Sequence, residues 1–326
     1  MKTEILTILK EAEGFVSGQN LCSRLNVSRT AVWKVIRQLQ EEGYQIEAVR
    51  NKGYRLVQAA DVMTEAEIGS RLKAGWIGKK LVYFYETDST NLQARKLAQA
   101  GCPDGTLVVS DCQTAGKGRR GRSWSSPHGS SIYMSFVLRP SLPPYCASAV
   151  TLIAGLAVTD AVCRETGLPA GIKWPNDVVV NGKKICGILT EMSAELENIH
   201  YIVTGIGINV NQQDFPDEIA AAATSLRLES GKSWNRSALT ASIVSAFEGY
   251  YVKFLQSQDL SLVKDDYEKR LVNLDAEVRV LDPKGQWSGI CRGIDKEGEL
   301  LVEDQEGQIK TVRSGEVSVR GIYGYV

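Results

Sequence analysis

The chain has 326 residues, of which 43% are hydrophobic and 23% are charged, and these proportions indicate a soluble globular protein of two or three domains. It contains 38 lysines plus arginines and 38 aspartates plus glutamates, which excludes a histone-like protein that binds nucleic acid through net charge alone. Seven cysteines without a CxxC spacing argue against a disulfide framework or a zinc ribbon, and two histidines argue against a multi-histidine metal site.

The first unit, residues 1–62, shows three helical stretches followed by two short β-like runs. The apolar spacing predicts the helices, and Ser17 and Ser28 are the expected N-caps of the second and third. Gly43 is expected to end the third helix, and residues 50–53 have the chemistry of a hairpin turn with two positive charges. Three helices and a hairpin in this order predict a winged helix-turn-helix.

The third helix of this unit has basic and polar side chains opposite its apolar stripe, as a recognition helix in a major groove does. The hairpin tip would act as the wing that reaches phosphate. The candidate DNA-binding residues are Ser28, Arg29, Thr30, Trp33, Lys34, Arg37, Arg50 and Lys52. An ordinary solvated basic helix has the same charge pattern, so the wing is what favours DNA binding.

The second unit, residues 63–272, is expected to begin at a capping box formed by Thr64 and Glu67. Strand candidates outnumber helix candidates, and the Asn-Gly pair at 181–182 predicts a two-residue hairpin. We therefore expect a mixed α+β sheet rather than a doubly wound one. The apolar stretch 147–162 is interrupted by polar residues and is expected to be too short and too polar to span a membrane.

The third unit, residues 273–326, consists of short β-like runs separated by tight turns. The turns are expected at residues 282–285, 296–298 and 305–307. Five strands of this length in so short a segment predict a small SH3-like β-barrel.

A glycine-rich basic loop, residues 113–129, carries the most informative chemistry. Its closely spaced glycines allow backbone N–H groups to converge into an anion nest. The four cations within residues 117–122 repel one another unless a polyanion neutralises them, and phosphate is the natural partner. Trp124 offers a flat face for a base or heterocycle. The Walker A pattern is absent, and a flexible loop that touches RNA fits the charge equally well.

Two later segments place polar groups on rigid elements. Pro175 fixes a turn that presents the side chains of Asn176 and Asp177. Lys184 opens an apolar strand, so its amine would be held by a strand and not by a mobile loop. A solvated lysine at the end of a hairpin is nevertheless the commoner case.

Two further segments are ambiguous by themselves. The alternating glycines of residues 205–211 permit close approach of a ligand, or only mark packing against another element. Residues 87–91 precede a helix, and one of their polar side chains is expected to cap it. The spare hydroxyls and the helix N-terminus could instead bind a small polar group.

Together these segments resemble one family, the biotin–protein ligases. The matching motifs, in family order, are DSTN at 88–91, GKGRRGRSWSSPHG at 116–129, KWPND at 173–177, GKKICGIL at 182–189 and GIGIN at 205–209. The flanking units extend the resemblance to the bifunctional type, a ligase that is also the biotin operon repressor. Lys117 stands where the family loop usually has arginine, which keeps the charge but loses bidentate geometry.

The resemblance implies a class II synthetase-like central domain and a two-step reaction. Biotin and ATP would form biotinyl-5′-adenylate, and a lysine of an acceptor such as the biotin carboxyl carrier protein of acetyl-CoA carboxylase would then take the biotin. Mg²⁺ would accompany ATP, held mostly by phosphate. Operator DNA, a ligand-promoted homodimer and a cytoplasmic location are also implied, and the charged N-terminus without an apolar signal core agrees with that location.

The resemblance also assigns residues by position. Lys184, rather than Lys183, and Arg119 are the expected catalytic residues at the carboxylate–phosphate junction. The expected biotin-binding residues are Ser89, Thr90, Asn91, Gln113, Gly116, Lys117, Gly118, Arg119 and Lys184. The expected ATP- and adenylate-binding residues are Arg120, Arg122, Trp124, Asn176 and Asn209. Trp124 is expected to stack near adenine, and no protein ligand to a metal is implied.

Two other functions are compatible with the sequence. A transcription factor could bind a metabolite in the middle unit without turnover, and it would not label an acceptor protein. A lipoate–protein ligase would share the chemistry, although the basic loop favours biotin. Incubation with ATP, biotin and an acceptor domain distinguishes the sensor from a biotin ligase, and substrate competition distinguishes the lipoate ligase.

Overall fold

The computed structural model describes residues 1–282, 285–314 and 318–321. The first unit comprises α1 (Lys2–Glu11), α2 (Gly18–Leu25), α3 (Arg29–Glu41), β1 (Gln45–Val49) and β2 (Gly53–Gln58). Both predicted caps are present, because Ser17 and Ser28 accept hydrogen bonds from the backbone N–H groups of the third residues of α2 and α3, at 3.0 and 3.2 Å. Strands β1 and β2 pair antiparallel, and the predicted winged helix-turn-helix is confirmed.

Helix α4 (Glu65–Gly69) opens the second unit, and its capping box is only half formed. Thr64 accepts the backbone N–H of Glu67 at 3.3 Å, as predicted. The carboxylate of Glu67 does not return to cap the helix but is fully buried, where it contacts Tyr44 of the first unit at 2.6 Å. The prediction was wrong on this point because α4 packs between α1 and a helix of the central domain, and burial draws the carboxylate to partners there.

The central domain is built on one seven-stranded sheet. Its elements are β3 (Leu81–Phe84), α5 (Thr90–Gln99), β4 (Thr106–Ser110), β5 (Ser131–Leu138), α6 (Ala147–Thr166), β6 (Ala170–Lys173), β7 (Asp177–Val180), β8 (Lys183–Ala194), β9 (Ile199–Asn209), α7 (Asp217–Ala220), α8 (Leu226–Ser230), α9 (Arg236–Ser257) and α10 (Lys264–Glu268). The strand order is β3-β4-β5-β9-β8-β7-β6. Only the β3–β4 pair is parallel among the described strands, so the mixed α+β sheet is confirmed.

Helices cover both faces of this sheet. Helices α6 and α9 pack together on one face with the main apolar core, while α5 lies on the other face over a smaller core. The apolar segment of α6 is longer than expected, and residues Pro144–Thr166 have the length and hydropathy of a membrane span. Most of that segment is buried within the protein, so α6 is the central core helix.

The third unit is a five-stranded antiparallel sheet. Its strands are β10 (Glu277–Asp282), β11 (Gly285–Ile294), β12 (Leu300–Glu303), β13 (Ile309–Val312) and β14 (Ser318–Gly321), in the order β13-β12-β11-β10-β14. This confirms the five predicted strands, although part of the turn predicted at residues 282–285 lies outside the described residues. The apolar side chains of Val278 and Cys291 join the core of the central domain, and the Trp174 indole N–H donates to Gly298 O at 3.0 Å. The domain limits at 62/63 and 272/273 stay predictions.

Candidate active site

Two adjoining cavities lie where the basic loop crosses the sheet. A smaller cavity is enclosed by the start of α5, the basic loop and the glycines of β8 and β9. A larger cavity extends from the loop toward residues 212–223, beyond β9. The residues that line both are Gly118, Arg119, Trp124, Asn176 and Lys184. These shared residues form the junction, so a molecule that fills both cavities must pass Arg119 and Lys184.

The sequence-predicted ligand residues divide between the two cavities. Those that line the smaller cavity are Ser89, Thr90, Asn91, Gln113, Lys117, Gly118, Arg119 and Lys184. Those that line the larger cavity include Arg120, Arg122, Trp124, Asn176 and Asn209. Gly116 lies outside both linings. Its α-carbon faces the loop itself, where a Cβ would come 2.6 Å from the carbonyl oxygen of Trp124, so it shapes the loop.

The start of α5 is capped from outside its own segment. The backbone N–H and the hydroxyl of Thr90 both donate to Gln113 Oε1, at 2.8 and 3.1 Å. Ser89 occupies the N-cap position without a side-chain capping bond. The sequence predicts a side chain within residues 87–91 as the cap of α5. This prediction is wrong for Ser89, the residue at the N-cap position. Gln113 supplies that contact because Ser126 fixes its amide nitrogen at 3.0 Å, which turns its oxygen toward the helix.

Close packing explains the alternating glycines of β9. A Cβ at Gly205 would lie 2.1 Å from Asn91 Oδ1, and a Cβ at Gly207 would lie 2.6 Å from the indole nitrogen of Trp124. Asn91 is itself buried and donates to Glu191 at 2.8 Å. The glycines therefore serve both expected purposes. They make room for the packed side chains of Asn91 and Trp124, and those side chains also line the smaller cavity, where a ligand would approach.

The basic loop folds over the cavity junction. The backbone N–H of Gly118 donates to Arg122 O at 2.7 Å, and Arg120 between them has a positive φ of 58°. The Arg119 guanidinium donates to Asn176 Oδ1 at 2.7 Å and also contacts the carbonyl of Ser314 in the third unit. Burial and the neighbouring Arg120 lower the pKa of Arg119 from its ordinary value. Such a desolvated cation is a favourable place for an anion.

Lys184 faces the junction because β8 is irregular at this point. The register of the β7–β8 pair shifts between Val178 and Val179, which adds one residue to β8 and re-aims its side chains. Lys184 Nζ lies 2.5 Å from Asp177 Oδ1 and 5.4 Å from the centre of the Trp124 ring. Lys183 is exposed and lines neither cavity. The geometry thus distinguishes two adjacent lysines of the same motif.

The larger cavity is strongly cationic. Its basic lining residues are Arg119, Arg120, Arg122, Lys173 and Lys184, against the carboxylates of Asp177 and Glu218. Phe215 and Ile219 add an apolar wall that the sequence did not predict. Residues 212–223 contain no motif, and only the fold brings them beside the basic loop, so sequence patterns gave no signal for this wall.

The candidate DNA-binding residues of the first unit are exposed. All eight have exposed side chains, and Trp33 is half exposed. Arg37 lies 5.5 Å from the Trp33 ring centre and 3.3 Å from Glu41, while Arg29 donates to Gln19 at 2.9 Å. Ser28 is committed to the cap of α3, so its hydroxyl is already partnered.

Comparison with known proteins identifies the family. The model for the Biotin/lipoate A/B protein ligase family matches residues 83–209, an HTH domain model matches 2–55, and the Biotin protein ligase C terminal domain model matches 274–320. The Bifunctional ligase/repressor BirA of Bacillus spizizenii is 41% identical over 98% of both chains. The chain belongs to this family of bifunctional biotin ligase/repressors. The enzyme of the same name from Escherichia coli is 29% identical over 97% of this chain and 96% of its own.

A solved structure of the biotin ligase family has the fold of about three quarters of this chain. The biotin protein ligase from Aquifex aeolicus in complex with biotin and ATP is 34% identical, with a TM-score of 0.65. The match covers 74% of this chain and 99% of that one. Together with the helix-turn-helix match at residues 2–55, this establishes the fold class predicted from sequence.

Proposed function

We propose that this chain attaches biotin to a lysine of an acceptor protein and represses transcription of biotin synthesis genes. In the first step a biotin carboxylate oxygen attacks the α-phosphorus of ATP, the bond to the bridging oxygen breaks, and pyrophosphate leaves. In the second step the uncharged amine of an acceptor lysine attacks the acyl carbon, and AMP leaves as the amine loses its proton. Neither step needs a nucleophile from the enzyme.

The convergence of Arg119, Asn176 and Lys184 at the cavity junction is the observation that carries this proposal. A reaction that joins a carboxylate to a phosphate needs cations and N–H donors where charge develops. The two cations flank the point where the smaller and larger cavities meet. A site that binds two substrates end to end has this form, whereas a metabolite sensor without turnover has no need of paired cations at a junction.

We assign biotin to the smaller cavity and ATP to the larger one. Ser89, Thr90 and Gln113 supply hydroxyl and amide groups for the ureido ring of biotin. The cationic wall of the larger cavity suits the triphosphate. Trp124 lines both cavities, so its ring would lie between the biotin tail and the nucleotide and not beside adenine alone.

The donor set of the larger cavity fits a nucleotide bound with Mg²⁺. Two carboxylates, Asp177 and Glu218, stand among the basic residues, too few for an all-protein magnesium site. The ion would be held mainly by phosphate oxygens, and it would neutralise charge on the leaving pyrophosphate. The protein's own contribution is to hold the phosphates with Arg119 and Lys184.

The proposal extends to partners and location. The acceptor would be a biotin carboxyl carrier protein of acetyl-CoA carboxylase, since its lysine is the usual destination of biotin in this family. The exposed α3 and wing would bind operator DNA, with two half-sites read by a homodimer. The cytoplasm, where carboxylases and chromosomal DNA are both present, is the proposed location.

Incubation of the full chain with biotin, ATP and a purified acceptor domain tests the enzymatic function. We expect a mass increase of one biotinyl group on one acceptor lysine, and pyrophosphate release that requires biotin. Lipoate in place of biotin serves as the substrate control. Preferred transfer of lipoate would identify a lipoate ligase, and tight biotin binding without pyrophosphate release would identify a sensor.

A further inference from the structure

Three side chains with metal-binding chemistry meet outside the two cavities. The ligand atoms of Glu86, Cys112 and His128 all lie within 4.8 Å of one another. His128 Nε2 is already 3.3 Å from Glu86 Oε2. The three residues come from separate segments, the end of β3, the end of β4 and the end of the basic loop, so their meeting is a product of the fold.

Two further residues, Asp111 and Tyr85, orient the ring of His128 in this cluster. Its other ring nitrogen, Nδ1, lies 3.6 Å from Asp111 Oδ2, while Asp111 Oδ1 is 2.5 Å from the buried guanidinium of Arg236. The ring of Tyr85 packs on the His128 ring, with centroids 4.6 Å apart. At 3.6 Å the contact between His128 and Asp111 is an ion-pair contact and not a hydrogen bond. A carboxylate on the Nδ1 side favours metal binding through Nε2, the nitrogen that faces Glu86.

We propose that Glu86, Cys112 and His128 bind a zinc ion, with water as the fourth ligand. One thiolate, one imidazole and one carboxylate form a donor set that suits Zn²⁺ better than Mg²⁺ or Ca²⁺. Tetrahedral zinc with bonds of about 2.0–2.3 Å places its ligand atoms about 3.3–3.8 Å apart. The Glu86 and His128 side chains are both exposed, which leaves room for the rotations that this spacing requires. Binding releases the thiol proton to solvent.

The zinc would connect segments that carry the proposed biotin site. Glu86 precedes Thr87 and Cys112 precedes Gln113, and the Thr87 N–H donates to Cys112 O at 3.2 Å. His128 lies two residues after Ser126, whose carbonyl accepts the Gln113 N–H at 3.3 Å. Zinc is therefore expected to stabilise the folded chain. An effect of zinc on biotin affinity rests in addition on the proposed function. The test therefore measures zinc binding and thermal stability and does not depend on activity.

The test uses the full chain titrated with Co²⁺ and with Zn²⁺. Co²⁺ should give a thiolate charge-transfer band and the visible bands of a tetrahedral site, and one equivalent of Zn²⁺ should remove both. His128→Ala and Cys112→Ser should each weaken zinc binding by on the order of 100-fold or more, because each removes a ligand. His200→Ala is the matched control, since His200 lies 3.4 Å from Glu195 but outside any three-residue cluster in the described part of the chain.

A second readout separates zinc binding from misfolding. One equivalent of Zn²⁺ should raise the melting temperature of the wild type and of His200→Ala, and should leave that of His128→Ala and Cys112→Ser unchanged. Equal zinc affinity in wild type and both ligand variants would overturn the proposal, as would a cobalt spectrum without the thiolate band. Both results would leave the proposed ligase function intact, since neither involves biotin or ATP.

Discussion

Lys184 Nζ lies 2.5 Å from Asp177 Oδ1, and this pair joins a residue that lines both cavities to one that lines the larger cavity. Both side chains are largely buried, so water screens the pair only in part. The carboxylate holds the ammonium group at one position before a substrate binds. A phosphate at the junction would share or take over that ammonium group, which is how an already positioned cation stabilises developing charge without reorganisation.

We expect Lys184→Ala to slow adenylate formation by ~10²–10³, the usual cost of removing one group that stabilises a transition state. Lys183→Ala is the matched control, because Lys183 is the neighbouring lysine and is exposed outside both cavities. The measurement is biotin-dependent pyrophosphate release under single-turnover conditions. Equal loss in both variants would show that the assignment of Lys184 to the junction is wrong.

Arg119→Gly is expected to release the adenylate early rather than prevent its synthesis. Arg119 fastens the basic loop to Asn176 and to the third unit, so its loss should let the loop open over the intermediate. The released adenylate would biotinylate lysines on bystander proteins, which mass spectrometry can count. Tight retention by Arg119→Gly would contradict this prediction.

Local chemistry explains which parts of the fold the sequence could predict. Ser17 and Ser28 cap their helices through contacts three residues away, and such contacts are encoded by neighbouring residues. Glu67 has the spacing of a capping box, and Arg71 is a local partner four residues away. Its other partners come from 23 and 57 residues upstream and from α9, which no local pattern reveals. Glu67 bonds to these distant residues and not back to the N-terminus of α4 because this part of α4 is buried.

The same distinction holds in the site. The segments that carry Arg119 and Lys184 have dense motifs, so their chemistry was visible before the fold was known. The cap on α5 by Gln113 and the apolar wall at Phe215 and Ile219 depend on chain crossings and left no signal. The zinc cluster is of this second kind, since its three ligands share no motif.

Glu67 is expected to hold the winged helix unit against the central domain. Its fully buried carboxylate receives Tyr44 at 2.6 Å and Lys10 at 2.7 Å from the first unit, and Arg71 at 2.6 Å. Glu67→Gln should lower the free energy of unfolding by about 3 kcal/mol, because it leaves two partly buried cations, Lys10 and Arg71, without their anion. Glu65→Gln, an exposed change on the same helix turn, should have little effect. Urea unfolding of both variants measures the difference, and equal midpoints would contradict it.

The same carboxylate predicts a dependence on acid. Burial raises the pKa of Glu67, but hydrogen bonds and charge from Lys10, Tyr44 and Arg71 outweigh it and lower the pKa below its ordinary 4.5. A lowered pKa contributes stability that is present above the ordinary value and is lost as the pH falls through the folded-state value. Burial lowers the pKa of its partner Lys10 from the ordinary 10.5. Wild type should therefore lose more stability than Glu67→Gln below pH 4.5.

The stability of an isolated ligase domain is expected to depend on whether its chain includes Asp61. Arg236 is 3% exposed and donates to Asp61 from its side chain at 3.0 Å and from its backbone N–H at 2.9 Å, as well as contacting Asp111. A chain beginning at Thr64 lacks Asp61 and leaves this cation one carboxylate, whereas a chain beginning at Ala59 keeps both. Both chains should ligate biotin and fail to bind operator DNA. We expect the shorter one to be less stable by about 3 kcal/mol in urea, and equal stability would contradict this role for Asp61.

Ligand occupancy is expected to control DNA binding through dimerisation. With α3 as the recognition helix and the β1–β2 hairpin as the wing, one chain would read one half-site, and a symmetric operator would require two chains. Four cations within residues 117–122 repel one another until an anion neutralises them, so bound biotinyl-adenylate should stabilise one arrangement of the basic loop. We expect that arrangement to favour self-association of the central domain, with a coupling of ~1–3 kcal/mol.

Sedimentation and operator binding of the full chain, with and without biotin plus ATP, measure this coupling. The ligands should raise the dimer fraction and the operator affinity together, since reciprocal linkage requires that a ligand which promotes the dimer also promotes whatever the dimer binds. Acceptor protein should reverse both effects, because transfer of biotin consumes the adenylate. Arg119→Gly, which is expected to lose its adenylate, should bind operator with the affinity of the unliganded wild type even when both ligands are present. The four conditions are wild type without ligands, wild type with biotin plus ATP, the same with acceptor protein, and Arg119→Gly with both ligands. Equal dimer fractions and equal operator affinities in all four would show that ligand occupancy does not control DNA binding.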